Sequence, residues 1–175
     1  MTSPLERLDR ALVEEATKKS GLIWVKGTDA PARPLWHAWH EGAAHVLGDG
    51  PGEQPLTGLE SGGTAQVTVR SKDKGGRLVT WTARVARVEP GTDEYAAAVA
   101  ELKTKRLNAP DGEAMVDRWA RECRLLRLEP TGETLPMPEG DLAASPVPTP
   151  ATTRQPVPAG VPKLLFRKRK QNNPR

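Results

Sequence analysis

Aromatic residues other than tryptophan are nearly missing from this chain, which has one tyrosine and one phenylalanine beside five tryptophans. A single cysteine, Cys123, excludes an internal disulfide and fits a reducing compartment. No apolar run approaches the ~20 residues that span a bilayer as a helix. Residues 1–10 mix charges and lack the apolar centre of a secretion signal, so a cytoplasmic protein is the expectation. Also missing are a Gly-x-Ser-x-Gly elbow, a Gly-Lys-Ser/Thr phosphate loop and a dinucleotide glycine fingerprint, which leaves those hydrolase, nucleotidase and dehydrogenase classes without support. Hydrophobic residues are 37% of the 175 and the mean hydropathy is -0.57, low for a chain folded throughout. That deficit points to a folded part diluted by a solvated one.

Charge locates the division. The formal net charge is +4, yet residues 1–135 hold 19 Lys/Arg against 20 Asp/Glu, while residues 136–175 hold 7 against 2. The body is nearly neutral and the basic character belongs to the tail. Eight prolines fall between Pro136 and Pro162 among small and polar residues. Without amide donors and with a fixed φ, they predict an extended, solvated and disordered stretch. The run Lys163-Leu164-Leu165-Phe166-Arg167-Lys168-Arg169-Lys170 then sets three apolar residues beside five cations. Such a run suits an anionic partner (RNA, a membrane surface or an acidic protein groove), or it simply keeps the chain soluble. The expected organisation is a domain at 1–135 and a Pro-rich linker with a basic tail at 136–175.

The body reads as short strands with few helices. Ser3-Pro4-Leu5-Glu6 is a capped helix start, and Leu5, Leu8, Leu12, Val13 and Ala16 share one apolar face, with Gly21 as the stop. Leu22 to Val25, Leu35 to His40 and Ala43 to Leu47 read as strands, the last two joined by a Glu41-Gly42 reversal. Leu56 to Leu59 suggests one helical turn. Thr64 to Arg70 alternates, and beyond the tip Lys72-Asp73-Lys74-Gly75-Gly76 a long strand runs from Arg77 to Val88. Arg87 falls on the same face as Val79, Trp81, Ala83 and Val85, which predicts a bulge near it. Thr92 caps a helix that carries Tyr95, Val99 and Leu102, and a second helix from Asp111 carries Met115, Val116 and Trp119. Leu125 to Glu129 closes as a sixth strand. Antiparallel strands at short spacing predict a small six-stranded barrel with flanking helices.

Few residues offer chemistry. All three histidines, His37, His40 and His45, fall within nine residues. The reversal at Glu41-Gly42 pairs His40 with Ala43 and Ala38 with His45, so His45 shares a face with His40 but not with His37. Three ligands cannot converge there, and the expected arrangement is one packed histidine and two partly exposed, with no metal. Cys123 sits where a helix ends, a place that does not stabilise a thiolate, so a structural thiol is expected. The informative set is a cationic rim, Arg70, Lys72, Lys74 and Arg77, with Trp36, Trp39 and Trp81 on nearby strands. Indoles stack on flat heterocycles while Arg and Lys neutralise phosphate; equally, tryptophans fill cores and charges solvate turns.

Arg33-Pro34-Leu35-Trp36-His37-Ala38-Trp39-His40, Glu41-Gly42 and Ala43-Ala44-His45-Val46-Leu47, with the long hairpin and the closing strand, resemble the pyridoxamine 5′-phosphate oxidase-like split-barrel family over residues 4–132. The resemblance implies a homodimer with FMN or a deazaflavin held at two equivalent sites between barrels. By position it implies Arg33, Trp36, Arg70, Lys72 and Lys74 as cofactor-binding residues. Where such oxidases carry a Ser/Thr-Arg-Lys phosphate clamp, this chain reads Gly48-Asp49-Gly50-Pro51-Gly52-Glu53, with two acids and no base. Two classes of function follow: a flavin-dependent oxidoreductase in which the cofactor carries the redox chemistry, or a cofactor-free dimeric adaptor working through its tail. No residue declares itself a catalytic acid or base.

Overall fold

The computed structural model describes residues 4–71, 76–106 and 111–136; the Lys72–Gly75 tip and everything after Pro136, the basic tail included, lie outside the described residues. The order of elements is helix α1 (Pro4–Lys19), strands β1 (Ile23–Lys26), β2 (Arg33–Leu35), β3 (Ala38–His40), β4 (Ala43–Gly48), β5 (Thr64–Arg70) and β6 (Arg77–Val88), helix α2 (Asp93–Lys105), a 3-10 turn at Gly112–Ala114, helix α3 (Met115–Glu122) and strand β7 (Arg124–Thr134). The strands form one antiparallel sheet in the order β2-β1-β5-β6-β7-β4-β3.

Seven strands stand where six were expected, because Leu35 to His40 is two strands at opposite edges of the sheet. Trp36 and His37 separate them, a step of about 11 Å at full extension. Edges that must lie this close curl the sheet into a split barrel. Other groups satisfy the joint's polar atoms. The Gln54 amide accepts from the Trp36 N–H at 2.8 Å and donates to the carbonyls of Trp36 and Leu47 at 2.9 and 3.0 Å. The His37 Nε2–H donates to the Thr17 carbonyl at 3.0 Å. A side chain thus replaces the ladder where the strand breaks.

Alternation sorts the residues between two cores. Inside the barrel lie Ile23, Val25, Val46, Val67, Val69, Val79, Trp81, Val85, Leu126 and Leu128, plugged at one mouth by Val13 of α1. Outside, Ala38, Leu47, Val88 and Leu125 pack under Tyr95, Val99 and Leu102 of α2 and Met115 and Trp119 of α3. Thr92 caps α2, its hydroxyl accepting from the Tyr95 N–H at 3.1 Å. Leu56 and Leu59, both buried, hold a single turn in which the Leu59 N–H donates to the Leu56 carbonyl at 3.2 Å.

Three expectations change. The α1 face is narrower than its pattern suggests: Val13 and Thr17 are buried, but Leu8 and Leu12 are 66% and 48% exposed. No bulge falls at Arg87, which pairs with Leu126 in an unbroken register from Ala83 to Val88. The charge is tolerated because that end of the strand reaches solvent, where Arg87 pairs with Glu89 at 3.0 Å. The irregularity lies instead between Trp81 and Ala83, where β7 continues past Pro130 and places three residues, Thr131, Gly132 and Glu133, opposite Thr82 alone. Pro130 lacks a ladder donor and Gly132 has a φ of 93°, so the extra residues loop out there.

Candidate functional site

The β3–β4 hairpin has the expected register, Ala38 with His45 and His40 with Ala43. Its turn residues Glu41 and Gly42 have φ of 45° and 75°, the signs a type I′ turn requires. His40 and His45 share the outer face, their rings 6.1 Å apart. Two histidines are buried rather than one: His37 is 4% exposed and His45 fully covered, because α2 lies across the hairpin. Burial pushes both imidazoles below their usual pKa, against the Thr17 carbonyl at His37 and against Glu94 at His45. Glu94 Oε1 stands 3.6 Å from His45 Nε2, beyond hydrogen-bond length, and is instead held by Arg127 at 3.1 Å. Among the described residues no three His, Cys, Asp or Glu side chains group as metal ligands.

The acidic loop after β4 is neutralised from within. The buried Glu53 carboxylate receives Arg118 at 3.0 Å, Arg106 at 3.1 Å and the Trp119 indole N–H at 2.9 Å. Asp49 receives Arg124 at 2.6 Å. Arg118 also binds Asp111, which holds that carboxyl below its usual range. Neither acid is left facing outward to repel an anion, and these arginines are committed to the fold. Cys123, half-buried against Gly50, has its thiol pushed up by burial and then by Glu53, as befits a structural thiol.

The positions marked by sequence are dispersed. Arg33 lies opposite Val25 on β2 and so belongs to the barrel-facing side of an edge strand. Arg70 lies on the outer side of β5, with Thr68 and Trp24, and its guanidinium sits 4.5 Å above the Trp24 ring. Trp36 packs on Trp119, 6.1 Å between rings, at the joint under α3. Lys72 and Lys74 lie outside the described residues. Arg77 donates to the Pro136 carbonyl. Arg33, Trp36 and Arg70 therefore do not converge.

Two hollows remain. A shallow one of about 340 Å³ is lined by Leu12, Glu15, Ala16, Lys19, Ser20, Arg70, Ser71 and Leu78. Its walls are apolar, its cations are Arg70 and Lys19, and it adjoins the hairpin whose tip carries Lys72 and Lys74. A larger cavity of about 550 Å³ lies at the α1 mouth of the barrel, between the β3–β4 turn and the β7 bulge, with Trp39 and Trp81 meeting edge to face at 6.3 Å in its wall. Sequence reading missed Trp24, Gln54 and Glu53 in their present roles, and also Asp9, Glu129 and Glu133 around the larger cavity. No local signal could find them, since Asp9 meets Thr134 across 125 positions.

No protein-family model matches the chain, and no curated protein sequence matches it. Solved structures do. The heme storage protein HutZ of Vibrio cholerae is 12% identical, with 70% of this chain and 90% of that one covered and a TM-score of 0.49. An FAD and heme binding protein from Mycobacterium smegmatis is 18% identical, with 93% and 95% covered and a TM-score of 0.43. An FAD-binding protein from Mesorhizobium loti is 13% identical, with 75% and 90% covered and a TM-score of 0.44. Identities this low carry over no ligand and no residue's role, and the split-barrel assignment rests on the strand order and on the Trp36–His37 joint.

Proposed function

We propose that this protein is a cytoplasmic homodimer that binds FMN or a deazaflavin in the hollow beside Arg70, and that the bound cofactor serves an oxidoreductase reaction. The observation that carries the reading is the pairing, in one place, of apolar walls with unneutralised positive charge. Leu12, Ala16 and Leu78 offer apolar surface to a planar ring, and Arg70 stands at its edge. In this reading Arg70, Lys72 and Lys74 hold the phosphate, Trp24 backs the guanidinium, and the cofactor supplies the electron chemistry. Arg33 and Trp36 take no part. A volume of about 340 Å³ is at the small end for such a ligand, which suits a site completed by a second copy. Exposed Leu8, Leu12 and Leu78 supply apolar surface for that seam. The basic run Lys163 to Lys170 is proposed to contact an anionic partner separately from the cofactor.

The test compares FMN with riboflavin, which differ by the phosphate. FMN should quench tryptophan fluorescence of the full chain, and Arg70→Ala should weaken FMN on the order of tenfold while leaving riboflavin unchanged, the loss of one charge-assisted contact. Light scattering should give twice the 19.0 kDa chain mass. A colourless protein that responds to neither FMN nor a deazaflavin would remove the cofactor reading.

A further inference from the structure

The larger cavity has a different chemistry from the Arg70 hollow. Its inner wall is apolar, built from Val13 of α1, Trp39 of β3, Trp81 of β6 and Pro130 of β7. Trp81 is 1% exposed, yet its indole N–H meets no acceptor. Buried donors are ordinarily paired, so an unpaired one in the wall of a cavity marks a place for an acceptor atom. The β7 bulge makes the room: where Thr131, Gly132 and Glu133 stand opposite Thr82, the chain bows out beside Trp81. At about 550 Å³ the space falls within the ~300–1,000 Å³ of small-molecule sites.

Charge at the rim selects further. Asp9, Glu129 and Glu133 face the guanidinium of Arg10, three carboxylates against one cation. Glu129 is partly answered by Arg127 at 3.7 Å, and Asp9 accepts from the Thr134 hydroxyl at 3.2 Å, so neither is fully neutralised. This rim repels phosphate and carboxylate and favours a neutral or positive ring. We propose that the cavity binds an uncharged or cationic planar heterocycle, which slides between Trp39 and Pro130 and gives a carbonyl or ring acceptor to the Trp81 indole N–H. The site is separate from the flavin hollow and does not rest on that reading, since Arg70 is not among its lining residues.

Three probes share a pyridine ring and an acyl oxygen and differ in charge: 1-methylnicotinamide (a cation), nicotinamide (neutral) and nicotinate (an anion). Each is titrated into the nitrogen-15-labelled full chain while the five indole N–H signals are followed, with Trp81's identified by Trp81→Phe. The two amides should shift the Trp81 signal saturably, and nicotinate should bind roughly tenfold more weakly, as like charges at close range require. Glu133→Gln, a change at an exposed position, should narrow the gap between cation and anion without altering thermal unfolding. Arg70→Ala should change nothing here. If Trp81→Phe fails to fold, the Glu133→Gln comparison still decides the charge preference, and the Trp81 signal is assigned by through-bond experiments. Nicotinate binding as tightly as the cation, or a Trp81 signal that no probe moves, overturns the proposal.

Discussion

At the scale of the residue, the most consequential side chain is Glu53, which composition alone presents as one more acid in a glycine-rich loop. In the fold its carboxylate is withdrawn from water and held by Arg106, Arg118 and the Trp119 indole. Two cations converging on one buried anion are stable together and costly apart. Glu53→Gln leaves both guanidiniums facing a neutral amide, and it should lower stability by about 3 kcal/mol, seen as a lower urea midpoint with an unchanged denaturant slope. Asp49→Asn, whose partner Arg124 also donates to the Leu59 carbonyl, should cost less. Equal losses from both changes would argue against the central place of Glu53. Trp81 is the converse case, a buried polar atom that no described residue answers.

The β3–β4 hairpin shows how an element can hold a register that its turn residues only weakly specify. Both turn residues take positive φ, but Glu41 is a side chain that pays strain in that region, whereas asparagine tolerates it. Arg127 donates to the Glu41 carbonyl at 3.1 Å, a backbone contact that asparagine would keep. Glu41→Asn should therefore stabilise the protein by about 0.5 kcal/mol, and Gly42→Val should destabilise it by more than that, both read from thermal unfolding. An unchanged midpoint in Glu41→Asn would mean that the packing of α2 alone fixes this register. The other informative element is β7, whose bulge both relieves Pro130 of its missing donor and opens the larger cavity.

Over the whole molecule, two buried histidines tie separate parts together. His37 joins α1 to the strand-breaking joint, and His45 lies between the sheet and α2. Burial lowers the pKa of both in the fold, while the unfolded chain titrates near the ordinary imidazole value of about 6.5. The unfolded state then binds more protons below that value, so stability is fully present above pH ~6.5 and is lost progressively as pH falls toward the lowered folded pKa values. Replacing His45 with glutamine should flatten that slope, measured as urea midpoints at a series of pH values from neutral to mildly acidic. A slope that His45→Gln leaves untouched would place the loss on the carboxylates alone.

Local order was legible in the sequence wherever one pattern served one environment. The alternation of Thr64 to Arg70, the Thr92 cap and the pairing of His40 with Ala43 follow from neighbouring residues, because strand period, helix capping and hairpin register are short-range properties. The seventh strand was not, because Leu35 to His40 is apolar enough for one strand, and only closure of the barrel forces Trp36 and His37 out of it. The candidate site was legible in part: Arg70 carries its charge whatever the fold. Its separation from Arg33 depends on which side of the sheet each residue faces, and so on how β1, β2 and β5 pair. Composition and periodicity determined that this chain folds as a curled antiparallel sheet with outer helices. Tertiary structure alone decided which acids are neutralised, which tryptophan is left with an unanswered donor and where cavities open, since those outcomes depend on contacts between residues up to 125 positions apart.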